Sequence, residues 1–330
     1  MSAEPAAPPP PVPGTARRPR RRSALGESSS WPLADRVCLW LCWGAGVTVC
    51  LLAAAIVGYM AYRGIQYVRP HLLFEHPSDG ADQSRAGGFL DPILGTFLLT
   101  GIGTAIAAPL GVAIAVWLSE YRRPAWFARA VESGVEVVAG TPSIVLAIFG
   151  LLLFSNGIFA VLSFTSDTGS VFGRSFLVSG CMMSLLALPL VVAATRESLQ
   201  AIPGHVREAS YALGKTRWAT VRRVLIPAAR PGIATGTALG MGRIAGDTAI
   251  VVILLGGAQR ILPREDSTWP FSILRGSGNT LTNYVYANSP AGEGQAEDKA
   301  YAAAFVLLVL VIGLNYLVNR IARREVAWTR

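Results

Sequence analysis

Six long apolar runs govern what this chain can fold into. They cover residues 37–62, 93–118, 128–154, 175–195, 228–255 and 301–321, with polar segments between them. A helix that crosses the hydrocarbon core of a bilayer needs ~20 such residues. Lipid offers no hydrogen-bond partner to the backbone, so a spanning segment must satisfy its own, as a helix does. Composition agrees: 52% of the 330 residues are hydrophobic and 15% charged, with a mean hydropathy of +0.44. Soluble domains carry about 25% charged residues, so an ordinary water-soluble enzyme is excluded. The expected fold class is an all-α integral membrane protein with six transmembrane helices.

The net charge of +9 matters less than its distribution. Residues 1–36 hold Pro8-Pro9-Pro10-Pro11 and then Arg17, Arg18, Arg20, Arg21 and Arg22, with little apolar surface to bury. This pattern predicts a disordered tail that sets topology, in preference to a nucleic-acid-binding arm. The run at 37–62 is too long for a cleaved signal segment and is expected to stay as an anchor. The tail and the loops on its side of the membrane hold 18 Arg and Lys, against 7 on the opposite side. Basic residues stay on the cytoplasmic side, so both termini are expected there. In this scheme 63–91 is an extracytoplasmic loop, 92–321 the transport core and 322–330 a cytoplasmic end. The four cysteines (Cys38, Cys42, Cys50 and Cys181) lie inside apolar runs and are expected to pack there, with no zinc set around them.

Four features carry candidate chemistry. The first is the polar segment 196–227. Residues 203–213 are expected to be helical, Gly214 to stop that helix, and a second short helix to follow before the fifth span. The result is a compact knob suited to a partner's groove, which exceeds what a connection needs. Gly214-Lys215-Thr216 imitates the end of a phosphate loop, but Ala209 stands where the first glycine belongs and no strand precedes it, so nucleotide binding is rejected. The second feature is the glycine seam Gly232, Gly236 and Gly240. On a continuous helix it shares an arc of about 80° with Arg243 and Asp247. An ionisable residue at such a place marks function, and a guanidinium suits oxyanions. The third is Gly140-Thr141-Pro142-Ser143, where proline in the third span reads equally as a simple kink or as a break with a restarted helix. A helix restarting there, capped by Thr141, would aim free N–H groups into the membrane. The fourth is the stripe Thr96, Thr100 and Thr104, which reads equally as back-bonding or as a polar path. No nucleophile–base pair or carboxylate dyad is visible, and no cofactor is called for.

These residues resemble a known family. Glu208-Ala209-Ser210, Gly214 and Val224-Leu225-Ile226-Pro227 keep the spacing of the EAA loop of ABC importer permeases. Asp91-Pro92-Ile93-Leu94-Gly95-Thr96, Ala108-Pro109-Leu110-Gly111, Glu120-Tyr121, Ala139-Gly140-Thr141-Pro142-Ser143-Ile144 and Gly246-Asp247-Thr248-Ala249 look like its PstA-type phosphate branch. The resemblance implies a type I ABC importer permease fold in the inner (plasma) membrane. It implies pairing with a second phosphate permease, two ATP-binding subunits, an extracytoplasmic phosphate-binding protein and no cofactor. Arg207, Glu208, Ala209, Ser210 and Gly214 would form the coupling helix seated in an ATPase. Arg243 matches the family's transmembrane arginine; Thr141, where the family often has valine, and Ser143 are read here, beside the resemblance, as hydrogen-bond donors along the path. Asp247 stands where the family usually has glutamate. The chain itself would catalyse nothing covalent. Rival readings are a permease for another oxyanion (sulfate or molybdate), a membrane signalling or scaffold protein, and a membrane enzyme.

Overall fold

Apolar sequence of this length closes its backbone hydrogen bonds within helices. The structure, a computed structural model, describes residues 32–78, 87–163, 172–256, 261, 271–290, 292 and 296–326. Among the described residues the regular elements are helical. They are α1 (Leu33–Tyr67), α2 (Pro70–Phe74), α3 (Leu90–Val116), α4 (Ala125–Gly140), α5 (Ser143–Phe154), α6 (Phe176–Gln200), α7 (Gly204–Ala212), α8 (Arg217–Thr220), α9 (Ile226–Gly246), α10 (Ala249–Leu254), α11 (Phe271–Arg275), α12 (Leu281–Asn288) and α13 (Glu297–Val326). A wide turn, Trp117–Tyr121, prolongs α3, and another, Val221–Leu225, leads into α9.

Residues 1–57 and 58–330 form two units. In the first, residues 32–57 are helical and exposed throughout, while 1–31, most of the expected tail, lie outside the described residues. Cys38, Cys42 and Cys50 are free and exposed there, and Cys181 is half-buried in the other unit. The expectation that all four pack inside a core is therefore corrected. Among the described residues of that unit there is one helix and no second layer to bury them.

In the second unit α6 is the central post. Its apolar stretch is 67% buried, against 28% for that of α3. The α6 side chains Met182, Met183, Leu186 and Ala187 form one core with Leu99 and Ala107 of α3, Leu146 and Ala147 of α5, Ile244 of α9 and Ile250 and Val251 of α10. Glycine is what lets the helices approach so closely. A methyl added to Gly111 would meet Val191 Cγ1 at 2.7 Å, and one on Gly236 would meet Ala194 Cβ at 2.9 Å. Gly232 lies against Ser198 and Gly240 against Ala187, so the predicted seam is the α6–α9 contact. A second apolar cluster joins Phe89, Leu281, Tyr284, Ala302 and Ala303.

All six predicted runs lie largely in helices; among the described residues four helices are long and apolar enough to cross a bilayer, Leu33–Tyr67, Leu90–Tyr121, Phe176–Gln200 and Glu297–Arg320, and the bent pair at 125–154 makes a fifth if it counts as one span. The run at 128–154 is the pair α4 and α5, bent by 109° at Thr141-Pro142. That bend is far larger than a proline kink. The run at 228–255 is α9 and α10, broken at Asp247-Thr248, where Asp247 turns extended with ψ 133°. Asp247 therefore does not continue the helical face of Arg243, and the shared arc expected for that pair is corrected.

Replacing Gly111 by Leu should destabilise the protein by about 1–3 kcal/mol, through overpacking of the α3–α6 contact. Gly134→Ala, where an added methyl meets nothing within 4 Å, should leave stability unchanged or raised. Thermal unfolding of the two variants in detergent measures the difference.

Candidate functional site

The knob forms as its sequence dictates. Helix α7 ends at Ala212, and Gly214 takes the left-handed conformation with φ +76°. Gly214 N–H then donates to Tyr211 O at 2.9 Å and Lys215 N–H to Ser210 O at 3.2 Å. This paired closure uses carbonyls that a helix end otherwise leaves open, and it needs a residue free to adopt positive φ. Thr216 begins α8 by accepting from Ala219 N–H at 3.3 Å. The buried hydroxyls of Ser210 and Thr220 lie 2.8 Å apart and pin α7 to α8. The outer face is left unpartnered: Leu213 is 78% exposed and Trp218 60%, beside exposed Glu208, Ala209 and Gly214. An apolar patch rimmed by charge marks an interaction surface.

The five residues matched to the coupling helix thus divide. Glu208, Ala209 and Gly214 are on the surface, whereas Arg207 and Ser210 are spent within the chain. Arg207 Nη1 donates to Ile202 O at 2.8 Å, Nη2 to Leu199 O at 2.8 Å, and Nε to Glu120 Oε1 at 3.1 Å. A second ionic junction lies on α4. Glu132 accepts from Arg196 Nη2 at 2.6 Å and from Arg122 Nη2 at 3.3 Å. In the sequence Glu120 stands out only through the Glu120-Tyr121 resemblance, and Arg122 and Glu132 not at all. Their partners lie too far along the chain for spacing to reveal.

The four residues expected along a transport path also divide. On α9, Ala228, Pro231, Thr235, Leu239, Arg243 and Gly246 form the exposed stripe, at helical spacing and beside the packed glycines. Arg243 makes no hydrogen bond or ion pair among the described residues. Asp247 has structural duties. Its Oδ1 accepts from Ile250 N–H at 2.9 Å and so opens α10, and its carbonyl accepts from the Thr282 hydroxyl at 3.3 Å. Thr141 does not cap α5 as expected: its hydroxyl donates back to Val137 O at 2.7 Å, and α5 starts without a side-chain cap. Ser143, half-buried at the start of α5, has no partner among the described residues. The two restarted helices, α5 and α10, pack together through Gly150 and Leu254. No bond joins Arg243, Asp247, Thr141 and Ser143 to one another. In the threonine stripe Thr96 donates to Pro92 O at 2.8 Å and accepts from Leu281 N–H at 2.9 Å, while the buried hydroxyls of Thr100 and Thr104 find no partner. Back-bonding therefore accounts for Thr96 alone.

The arrangement is a bundle of broken helices with a polar knob, and among the described residues the Arg243 guanidinium on α9 has no carboxylate partner. The pattern of the family described as binding-protein-dependent transport system inner membrane component matches residues 107–326. The probable ABC transporter permease protein YqgH of Bacillus subtilis (strain 168) is 31% identical over 291 residues, 83% of this chain and 89% of that protein. The phosphate transport system permease protein PstA of Mycobacterium leprae (strain TN) is 35% identical over 230 residues, 70% of this chain and 69% of that protein. Among solved structures, a chain of the bacterial alginate ABC transporter in complex with an alginate pentasaccharide-bound periplasmic protein superposes with a TM-score of 0.59 at 16% identity, covering 88% of this chain and 96% of that one. At that identity it speaks for the fold alone, which is that of an ABC importer permease. The chain belongs to the family of binding-protein-dependent transport system inner membrane components: it is a transmembrane permease subunit of an ABC importer, whose ATPase is a separate subunit.

Proposed function

We propose that this permease carries phosphate. In this reading it lies in the inner membrane with both termini in the cytoplasm and forms the translocation path with a second phosphate permease. Two ATP-binding subunits dock at the knob, and an extracytoplasmic phosphate-binding protein delivers substrate to the other face. The core spans 92–321 and the coupling loop 196–227. The observation that carries the substrate is Arg243, a guanidinium on the exposed stripe of α9 with no carboxylate spent on it among the described residues. A permanently charged fork with unused donors on a surface that a second permease would cover is suited to an oxyanion. The resemblance to phosphate permeases, joined by the 35% identity to a phosphate transport permease, narrows that class. Ser143 supplies a free hydroxyl beside the break in the third span, and Thr141 shapes that break. Asp247 holds the other break, so its charge serves the backbone of α10 first. ATP binding and hydrolysis below would move the knob, and the spans would exchange outward for inward access.

In membrane vesicles holding the whole transporter, Arg243→Ala should lower phosphate uptake roughly ten- to a hundredfold, the worth of a lost charge-assisted bond, while the subunits still co-purify. Failure of assembly instead would make Arg243 structural. Equal inhibition of uptake by sulfate or molybdate would turn the assignment to a general oxyanion permease. Asp247→Asn, which keeps an acceptor for Ile250 N–H, should retain stability. Asp247→Ala should cost about 1 kcal/mol in thermal unfolding, as loss of a helix cap does. Gly214→Ala strains a residue held at positive φ, by about 1 kcal/mol. Together with Glu208→Ala it should leave the chain in the membrane yet separate ATP hydrolysis from uptake. Unchanged uptake in both variants would remove the knob from the mechanism.

A further inference from the structure

A helix of nine residues such as α7 is marginal by itself, so its direction is imposed by what anchors it. One anchor is the Ser210–Thr220 contact at its end. The other is Arg207, and its geometry is unusually complete. Nε and Nη2 both reach Glu120 Oε1, at 3.1 and 3.0 Å, while Nη1 and Nη2 reach the carbonyls of Ile202 and Leu199. Those carbonyls belong to the last turn of α6 and the residues just past it, where a helix leaves acceptors open. Glu120 lies in the wide turn that ends α3, 87 residues away in sequence. One guanidinium therefore ties the knob to the ends of two spans. Its side chain is 22% exposed and that of Glu120 only 9%.

We infer that Glu120 is a positioning residue for energy coupling: through Arg207 it fixes the angle at which α7 meets the ATPase. The inference rests on the reading of the knob as the ATPase-docking element. A buried ion pair is a poor route to stability, since apolar residues of similar volume do as well or better. What an arginine fork adds is direction, because its planar donors hold a carboxylate in one orientation. The second junction extends the same frame. Glu132 binds Arg196 near the end of α6 and Arg122 just beyond the turn that holds Glu120, so α4 is fastened to the same two span ends. Helix α4 runs directly to the 109° break at Thr141-Pro142. Without Glu120, Arg207 keeps its two carbonyls but loses its tie to α3, and α7 can swing while the spans stay still.

The test uses the complete transporter in proteoliposomes and reads phosphate taken up per ATP hydrolysed. Glu120→Ala should lower that ratio about tenfold, with the subunits still co-purifying and the KM for phosphate unchanged within about twofold, since Glu120 is not on the substrate route. A purely structural role would reduce the amount of assembled transporter and leave the ratio intact. Combined with Arg207→Ala, the loss should not exceed that of Arg207→Ala alone, because both changes sever one link. A wild-type ratio in Glu120→Ala, or losses that add, would overturn the inference. Should Glu120→Ala not accumulate, Glu120→Gln takes its place: it keeps an acceptor but not the charge, and a drop of about threefold is expected, with an unchanged ratio again fatal. A wild-type transporter that takes up no phosphate, or binds no ATPase, sinks the functional reading instead, so the two failures are separate.

Discussion

Hydrocarbon cannot hydrogen-bond, and every irregularity in this chain is arranged around that fact. Where a helix runs unbroken, its backbone needs nothing else. Where it stops, a named group takes over the freed donors or acceptors. Asp247 Oδ1 receives Ile250 N–H at one break, and Thr141 Oγ1 returns to Val137 O at the other. At the knob the left-handed Gly214 lets two backbone amides close onto α7. Arg207 then covers the carbonyls that α6 leaves behind. Each break is thus chemically local, which is how a bundle can contain two interrupted helices and remain packed.

Packing follows from side-chain absence as much as presence. In lipid there is no hydrophobic drive between helices, so close approach and dispersion must hold the bundle. The glycines of α3 and α9 bring both helices against α6, and α6 becomes the buried post. This leaves the neighbouring stripe of α9, with Arg243, exposed. The same close packing that stabilises the subunit therefore decides which face of α9 stays uncovered.

Much of this was legible in the sequence. Run length and charge gave the spanning class, the four-residue glycine spacing gave the α6–α9 seam, and Gly214 gave the end of α7. The break at Thr141-Pro142 was legible in part, because proline removes a donor wherever it sits but by itself reads equally as a kink. The break at Asp247 was not. Helical periodicity assumes continuity, and Gly246-Asp247-Thr248 contains no residue that forbids a helix; the carboxylate acts by offering the backbone an alternative partner. The Glu120–Arg207 tie was invisible for another reason. Ion pairs between distant segments have no period: Arg207 stood out as part of the coupling helix and Glu120 in a Glu-Tyr pair shared with the family, but no spacing joins one to the other.

The shorter acid at position 247 has a consequence for kinship. A carboxylate one methylene from its backbone can turn back and serve an amide three residues on, as Asp247 does. The glutamate usual in the phosphate branch is a poor substitute in that duty, because its extra carbon carries the charge outward. Two acids of equal charge at one position thus differ in how well they can serve the main chain. Exchanging them between relatives would not be the conservative trade it looks on paper.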